Sequence, residues 1–359
     1  MSDAKQYDSY LNNDAPAALV IREHLLPVEG PDGVLFPATF AAGDGFPGGY
    51  NIDGDPNSTN VCLIDSVGSQ ANRIEPLFAE EQYRHLVPQI VVKAGEHKVN
   101  LLEAGHRAGD AIVRCSELQQ ILQDAFKAVL KGDAEPLAKI APTSLVFGVW
   151  DSRDTQAKLP RLVSSTIRAF NVRKLTRSAQ FIPAAEYVAS GLLDEPADKA
   201  TKDAYAERGF IHVPATGSHG GVIATGGVRR DATLGLAALR LLFAGKDEKK
   251  TLTLRRYILG LALTAFTHTP SGYLRQGCLL VLDPSKAKER EFLEVYPNGD
   301  RKPVKITHDA ALEYSSATAK AFGVGESKTV EFDKERAKKD VKGESKGKKA
   351  KKAEAAEKS

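Results

Sequence analysis

The chain has 359 residues, of which 42% are hydrophobic and 26% charged, and its formal net charge at pH 7 is +3. This is the composition of a globular protein with room for one large domain or two ordinary ones. No run approaches the ~18 apolar residues that a membrane-spanning helix needs, and the opening MSDAKQYDSYLNNDAPA lacks the apolar segment of a secretory signal. We therefore expect a cytoplasmic protein that does not span a membrane.

The cysteines and histidines form no metal-binding or redox motif. Cys62, Cys115 and Cys278 lie far apart and without CxxC spacing, so we expect three buried apolar residues and no disulfide framework. The eight histidines never occur as HxxxH, HExxH or HxH. The sequence therefore predicts no metal and no cofactor.

In chain order, residues 18–40 predict a strand, a Pro/Gly turn and a second extended piece, followed by a glycine-rich loop. The apolar run Val61–Ile64 predicts a short buried strand. A helix then starts near Gln70, with Ser66 and Ser69 as candidate N-caps.

The next segments predict an amphipathic helix and a strand. Ser116 is a candidate N-cap for ELQQILQDAFKAVLKGD, whose apolar residues recur at helical spacing. The segment TSLVFGVW, residues 143–150, predicts a buried strand. From about Val163 the dense β-branched residues predict a long strand or hairpin arm.

The last segments predict two helices and a strand. Polar residues 190–209 predict a helix or loop, and a glycine-rich extended segment then leads into a helix over Thr233–Phe243. A second helix ends before Pro270, and GCLLVLD predicts a strand. Because strands and helices are interleaved without a strict βαβ rhythm, the sequence predicts an α+β sheet core that carries insertions.

Cations are concentrated between Val149 and Arg177, where seven basic residues oppose two acidic ones. Arg and Lys spaced along an extended segment can follow the phosphates of a nucleic acid. Single-stranded RNA is favoured, since no duplex-binding motif occurs. Trp150, Phe170 and Phe181 are either core residues or aromatic faces for bases. The seven basic residues are Arg153, Lys158, Arg161, Arg168, Arg173, Lys174 and Arg177.

A Lys-rich tail follows the body. Residues 334–359 hold eleven basic and five acidic residues, so residues 1–333 carry a net charge of −3. The tail lacks apolar periodicity and predicts disorder. It is either merely solvated or gives salt-sensitive assistance to nucleic-acid binding.

Asp151 and Asp154 leave a second hypothesis open. Two carboxylates three residues apart could bind Mg²⁺ in a metal-dependent ribonuclease, or could form structural ion pairs with neighbours such as Arg153. An unrelated enzyme with a basic face is a third hypothesis.

Two segments together resemble a known family. NVCLIDSVGSQANRIEPLF (residues 60–78) and LVFGVWDSRDTQAKLPRLVSSTIRAFNV (residues 145–172) are similar to the RAMP-superfamily backbone subunit of type I CRISPR interference (Cascade) complexes, and in particular to its I-U, or I-G, branch. The likeness extends over residues 18–285 through GGVIATGGVRRDATLGLAALRLL and LRQGCLLVLDP.

The resemblance implies a ferredoxin-like, RRM-derived palm with finger and thumb insertions. The body would span residues 1–333, with insertions near residues 41–60, 88–115 and 170–227. The chain would be a non-catalytic, crRNA-binding subunit that oligomerises along the guide and presents its bases to target DNA in antiviral defence. Its partners would be crRNA, further copies of itself, a large subunit and a fused RNA-processing subunit.

The resemblance also implies which residues contact RNA. A serine–glutamine–basic element opens the helix that meets the RNA backbone in this family, and a helix N-terminus is a suitable anion site. The Lys and Arg residues of the extended segment would lie on the palm and thumb. The ordinary RRM aromatic motif is absent, so base-specific stacking is not implied. The implied RNA-binding residues are Ser69, Gln70, Asn72, Arg73, Arg153, Lys158, Arg161, Arg168, Arg173, Lys174 and Arg177.

Overall fold

A computed structural model describes residues 4–55, 58–269 and 271–342. The strands are β1 (Ala18–Pro27), β2 (Thr39–Phe40), β3 (Gly49–Tyr50), β4 (Ile52–Gly54), β5 (Asn60–Asp65), β6 (Ile90–Ala94), β7 (His97–Asn100), β8 (Val149–Trp150), β9 (Lys158–Leu159), β10 (Val163–Phe170), β11 (Val172–Phe181), β12 (Val213–Ala224), β13 (Val228–Gly235), β14 (Tyr273–Arg275), β15 (Cys278–Leu282), β16 (Glu291–Val295), β17 (Arg301–Pro303) and β18 (Lys328–Glu331). The helices are α1 (Val67–Ile74), α2 (Ala111–Arg114), α3 (Gln119–Leu130), α4 (Glu135–Ile140), α5 (Thr143–Phe147), α6 (Lys199–Glu207), α7 (Leu236–Leu239), α8 (Glu248–Thr267) and α9 (His308–Phe322).

One antiparallel sheet organises the body. Its strands follow the order β14–β15–β1–β13–β10–β5–β4, and β16 pairs with β1 and with β17. β1, β13 and β10 lie side by side, because Ile21 is opposite Ala232 and Ala232 is opposite Ser165. Helices and strands thus combine as an α+β fold, which confirms the predicted class.

The two faces of this sheet differ. In β10, Val163, Ser165, Ile167 and Ala169 share one face and are all buried, whereas Ser164, Arg168 and Phe170 on the other face are half-buried. Helix α8 is buried along most of its length and belongs to the same hydrophobic core as Val163. Burying a large apolar side chain contributes roughly 1.5–3 kcal/mol, so this packing fixes which face of the sheet is covered.

Two smaller sheets lie outside the main sheet. β11 and β12 form a long hairpin over residues 172–224, with α6 between its arms. β6 and β7 form a second hairpin over residues 90–100, and β18 adds to β6 in parallel. The predicted hairpin arm after Val163 is confirmed by β10 and β11, and the three cysteines are buried and unbridged as predicted.

Several predicted boundaries were wrong. Residues 143–147 form helix α5 instead of a strand, because Gly148 ends the helix with φ 77° and only Val149–Trp150 is extended. Thr233 and Leu234 continue β13, since both pair with β1 and β10. Helix α1 begins at Val67, three residues early, because the Ser66 side chain accepts from the Ser69 N–H.

The first part of the predicted tail is also ordered. Residues 334–342 form a helix whose first N–H groups, at Glu335 and Arg336, donate to Asp333 Oδ1 at 3.0 Å. These bonds hold the pKa of Asp333 below its usual value. The prediction of disorder is therefore corrected for residues 334–342, and residues 343–359 lie outside the described residues. Within the described chain no helix is long and apolar enough to cross a membrane.

Candidate nucleic-acid interface

A basic cleft opens beside the short β8–β9 ribbon. The cleft has a volume of about 540 Å³ and collects cationic side chains and one exposed aromatic ring. Its lining residues are Gly105, His106, Arg107, Gly148, Val149, Trp150, Ser152, Lys158, Leu159, Pro160 and Arg161. Two of the predicted RNA-binding residues, Lys158 and Arg161, are brought together here.

Gly148 makes room for Arg161. A Cβ atom at residue 148 would lie 2.8 Å from Arg161 Cγ and 3.0 Å from the Leu159 carbonyl oxygen. The φ of 77° at this residue also favours glycine. The Arg161 side chain therefore passes directly over the backbone at the end of α5, and its Nε donates to Phe147 O at 3.0 Å.

Arg107 also lines the cleft and is held by Glu75. Arg107 is only 3% exposed, and its Nε donates to Glu75 Oε2 at 2.5 Å. Its other nitrogens donate to Gly148 O at 3.3 Å and to Asn72 Oδ1 at 3.4 Å. Burial raises the pKa of Glu75 to about 7, although the positive charge of Arg107 opposes this rise.

Arg107 and Arg161 place two like charges in one cleft. Burial lowers the pKa of Arg161, and the neighbouring charge of Arg107 lowers it further. An anion between the two guanidinium groups would relieve this repulsion, and Arg is the residue best suited to bind phosphate in two-point contact. The positive charge of these two guanidinium groups therefore favours an anionic group in the cleft.

Trp150 and Lys158 form the outer wall of the cleft. They are direct partners in the β8–β9 ribbon, so their side chains lie on the same side of it. The Lys158 Nζ lies 5.6 Å from the centre of the Trp150 ring, and Trp150 is 59% exposed. An exposed indole beside a cation offers a stacking face for a base next to a phosphate contact.

The carboxylate of Asp151 accepts hydrogen bonds from residues of its own loop. Asp151 is 3% exposed and accepts from Thr155 N at 2.8 Å, from Thr155 Oγ1 at 2.6 Å and from Asp154 N at 3.3 Å. Asp154 itself is exposed. Among the described residues no group of three or more His, Cys, Asp or Glu side chains could hold a metal ion. The observed geometry thus gives Asp151 a structural role in the loop 151–157.

The predicted serine–glutamine–basic element of α1 points inward. The fully buried carboxylate of Asp65 accepts from Ser69 Oγ at 2.8 Å, Gln70 Nε2 at 2.7 Å and Arg73 Nε at 3.2 Å. A fourth donor, Arg275, reaches the same carboxylate at 2.7 Å.

The assignment of Gln70 to the RNA surface is therefore corrected. Gln70 is 1% exposed, and its Oε1 also accepts from Ser165 Oγ at 2.8 Å. Ser69 and Arg73 are bonded to Asp65 but keep exposed surface, and Asn72 is exposed beside Arg107. The physical reason is that a buried carboxylate needs several donors, and the first turns of α1 supply them.

The other predicted cations do not line the cleft. Arg168 alternates with the buried Ile167 and Ala169 and so lies on the opposite face of the sheet. Arg153 lines a neighbouring cavity beside the helix over residues 334–342. Arg173, Lys174 and Arg177 are exposed on the stem of the β11–β12 hairpin. The predicted single strip of cations is thus divided among four surfaces.

Sequence reasoning missed Arg107, Glu75 and Arg275. Arg107 lies in a short turn with φ 52° and outside every basic cluster of the sequence. Its position depends on the buried pairing with Glu75. The GHRAG setting of Arg107 was the available signal, because flanking glycines permit close backbone approach.

Fold and site together define an α+β protein with a basic cleft of the kind that binds a polyanion. Residues 19–174 match the family model described as CRISPR-associated protein GSU0053 (Cas_GSU0053). The match shows a CRISPR-associated protein over this segment, which includes Asp65, α1 and the whole cleft, and it supports a role in CRISPR defence. No curated protein matches the chain.

Proposed function

We propose that the chain is a non-catalytic backbone subunit of a type I-U (I-G) CRISPR effector that binds guide crRNA through the basic cleft. The observation that carries this proposal is the convergence of Arg107, Lys158 and Arg161 on one cleft inside the matched segment. Phosphates are the repeating anions of a guide strand, and Arg and Lys contacts to them carry no sequence information.

The sheet topology supports a ferredoxin-like palm. β15 and β16 lie beside β1, followed by β13 and then β10, all antiparallel. Helices occur between β1 and β10 and again between β13 and β15 along the chain. This is the strand order expected for two split β-α-β units. β5 extends the palm beyond β10 and leads directly into α1.

The chemistry of the cleft supports binding without base readout. Phosphate contacts fix the position of a strand, whereas its Watson–Crick edges stay free to pair with target DNA, as in other guided systems. Trp150 can stack on any base, because every base has a π-face. The guide would then supply the sequence specificity, and the subunit would supply the scaffold.

The β11–β12 hairpin supports contacts with further copies and other effector subunits. Its stem is basic, whereas residues 183–212 hold six acidic and three basic residues. Phe181, Ile182 and Leu192 are exposed near this end of the hairpin. An acidic and apolar surface fits a basic neighbour such as the cleft side of the next copy. The hairpin would act as the thumb, with its stem cations against the guide.

Purification from cells with and without a CRISPR array tests the proposal. We expect discrete guide-length RNAs carrying spacers, on a particle much larger than 38.7 kDa. The same purification with Lys158→Gln and Arg161→Gln should recover far less RNA, and a surface pair such as Lys249→Gln and Lys320→Gln is the matched control. If the chain stays free of nucleic acid after the other effector subunits are co-expressed, the proposal is wrong.

A further inference from the structure

Glu75 is a buried carboxylate that faces a cation of the basic cleft. Only 1% of Glu75 is exposed, and its Oε2 accepts from Arg107 Nε at 2.5 Å. Arg107 lines the cleft, and its guanidinium lies 5.4 Å from the centre of the Phe147 ring. Arg161 lines the same cleft and is close enough for repulsion by Arg107 to lower its pKa. Glu75 is therefore the counter-charge that the chain itself supplies to Arg107.

The surroundings of Glu75 bring its titration close to neutral pH. Burial raises the pKa of Glu75 to about 7, although the charge of Arg107 and the hydroxyl of Thr143 both lower it. Other described charged or titratable side chains on the segments packed against residues 75–79 are exposed or act on other groups. These are Arg73 with Asp65, Arg84 with Glu81, His85 with Ser316, the exposed Glu103, and Glu80, which acts on Tyr83 and His268. Arg107 is thus the cation on which the charge of Glu75 depends.

A phosphate in the cleft would compete with this carboxylate. The strand would be attracted by Arg107, Lys158 and Arg161, which all line the cleft, and its negative charge would lie near the ionised Glu75. A like charge nearby raises the pKa of a carboxyl group, and it does so strongly where burial lowers the local dielectric constant. Loss of the Glu75 charge would leave the cleft with one more net positive charge for the phosphates. Binding of the strand and protonation of Glu75 therefore favour each other.

We infer that Glu75 takes up a proton when a nucleic acid strand binds in the cleft, and that a phosphate then replaces it as the counter-charge of Arg107. This inference rests on the proposed function. The proton comes from the solvent and adds to one carboxylate oxygen, while the other oxygen still accepts from Arg107 Nε. Glu75 is thus a positioning residue for Arg107 that also makes RNA binding depend on pH.

The first test measures the affinity of the full chain for an oligouridine RNA from about pH 6 to about pH 8.5, the range in which Glu75 changes its charge. Uracil bases gain no proton there, but His106 is an exposed residue of the cleft lining, and histidines in general titrate in this range. All measurements therefore use the His106→Gln background. We expect the affinity to fall about tenfold as pH rises, for each pKa unit by which the bound strand raises the pKa of Glu75. An affinity that does not change with pH would overturn the inference.

The second test separates proton uptake from a merely structural role. Glu75→Gln keeps an acceptor for Arg107 but cannot ionise, so its affinity should not vary with pH and should exceed that of the His106→Gln chain about tenfold at about pH 8.5. A structural role alone predicts weaker binding at every pH. Glu331→Gln is the matched control, because it removes an exposed carboxylate that pairs with Lys93, and it should keep the pH dependence. Weaker binding by Glu75→Gln at every pH would contradict the inference.

Proton uptake can also be measured with Glu75 in place. The heat of RNA binding by the His106→Gln chain, in two buffers of equal pH and different ionisation enthalpy, gives the number of protons taken up. We expect about 0.5 proton per bound chain at about pH 7.5 for a rise of one pKa unit. Binding without proton uptake would overturn the inference even if Glu75→Gln failed to fold, and it would leave the proposed function standing. If the unaltered chain binds no RNA at any pH, the proposed function itself is wrong.

Discussion

Gln70 Nε2 donates to Asp65 Oδ2 at 2.7 Å, so the glutamine of the predicted RNA-binding element is hydrogen-bonded to a buried carboxylate. Ser69 Oγ, Arg73 and Arg275 complete the set of donors around Asp65. This arrangement joins strand β5, helix α1 and the β14–β15 hairpin at one point. The element that resembles an RNA contact therefore holds helix α1 against the main sheet.

Replacing Gln70 tests this reassignment. Gln70→Ala removes one of the four donors around Asp65 and leaves the Ser165 hydroxyl without its acceptor, which should lower the free energy of unfolding by about 1–3 kcal/mol. The RNA affinity of the folded protein should stay unchanged, since Gln70 is buried. Urea unfolding measures the stability, and filter binding measures the RNA affinity. Asn72→Ala, on the exposed face of α1, is the control. A loss of RNA affinity at unchanged stability would mean that Gln70 contacts RNA.

The cleft cations should set the salt dependence of RNA binding. Lys158→Gln combined with Arg161→Gln removes two phosphate contacts, so the log–log salt slope should fall by about 1.4 units. Arg168→Gln should leave the slope unchanged, because Arg168 lies on the other face of the sheet. A comparable fall for Arg168→Gln would mean that the strand also crosses that face.

Trp150 is the single tryptophan of the chain and reports directly on the cleft. RNA binding should quench its fluorescence, since the ring is exposed beside Lys158. Trp150→Leu should weaken binding by about 1–3 kcal/mol without changing the salt slope, because stacking neutralises no phosphate. A changed slope with unchanged affinity would contradict the stacking role.

Glu75 should make the stability of the protein depend on pH. Its pKa is raised to about 7 by burial, against an ordinary value of 4.5. Between these values the folded chain binds more protons than the unfolded chain, so stability falls as pH rises from about 4.5 to about 7. Denaturant unfolding across this range should show the fall in the native chain and a smaller one in Glu75→Gln. An identical pH dependence in both proteins would assign the effect to other groups.

Gly148 should tolerate no side chain. Gly148→Ala brings Cβ against Arg161 and the Leu159 carbonyl at a positive φ, and we expect a loss of about 1–3 kcal/mol in stability. RNA binding should weaken as well, because Arg161 must move. Gly132→Ala is the matched control, since Gly132 has φ +83° but open space around its Cβ position. Equal losses in both variants would mean that backbone strain alone, and no contact with Arg161, explains the effect.

The local spacing of apolar residues in the sequence was sufficient to predict elements that bury one regular face. The helical spacing of Leu122, Ala125 and Phe126 predicted α3, and the β-branched run from Val163 predicted β10. The pattern failed in TSLVF, residues 143–147, which is buried on all sides and so carries no periodicity. There a single positive φ at Gly148 decides where the helix ends.

The sequence by itself determined the α+β class, the separation of a nearly neutral body from a Lys-rich segment, and the concentration of cations after Val149. Only the tertiary structure decided which of those cations act together. Strand alternation sends Arg168 to one face, the Gly148 turn brings Arg161 into the cleft, and the buried pair with Glu75 fixes Arg107 beside it. Charge along a chain is local information, whereas a binding site depends on residues distant in sequence that buried contacts hold together.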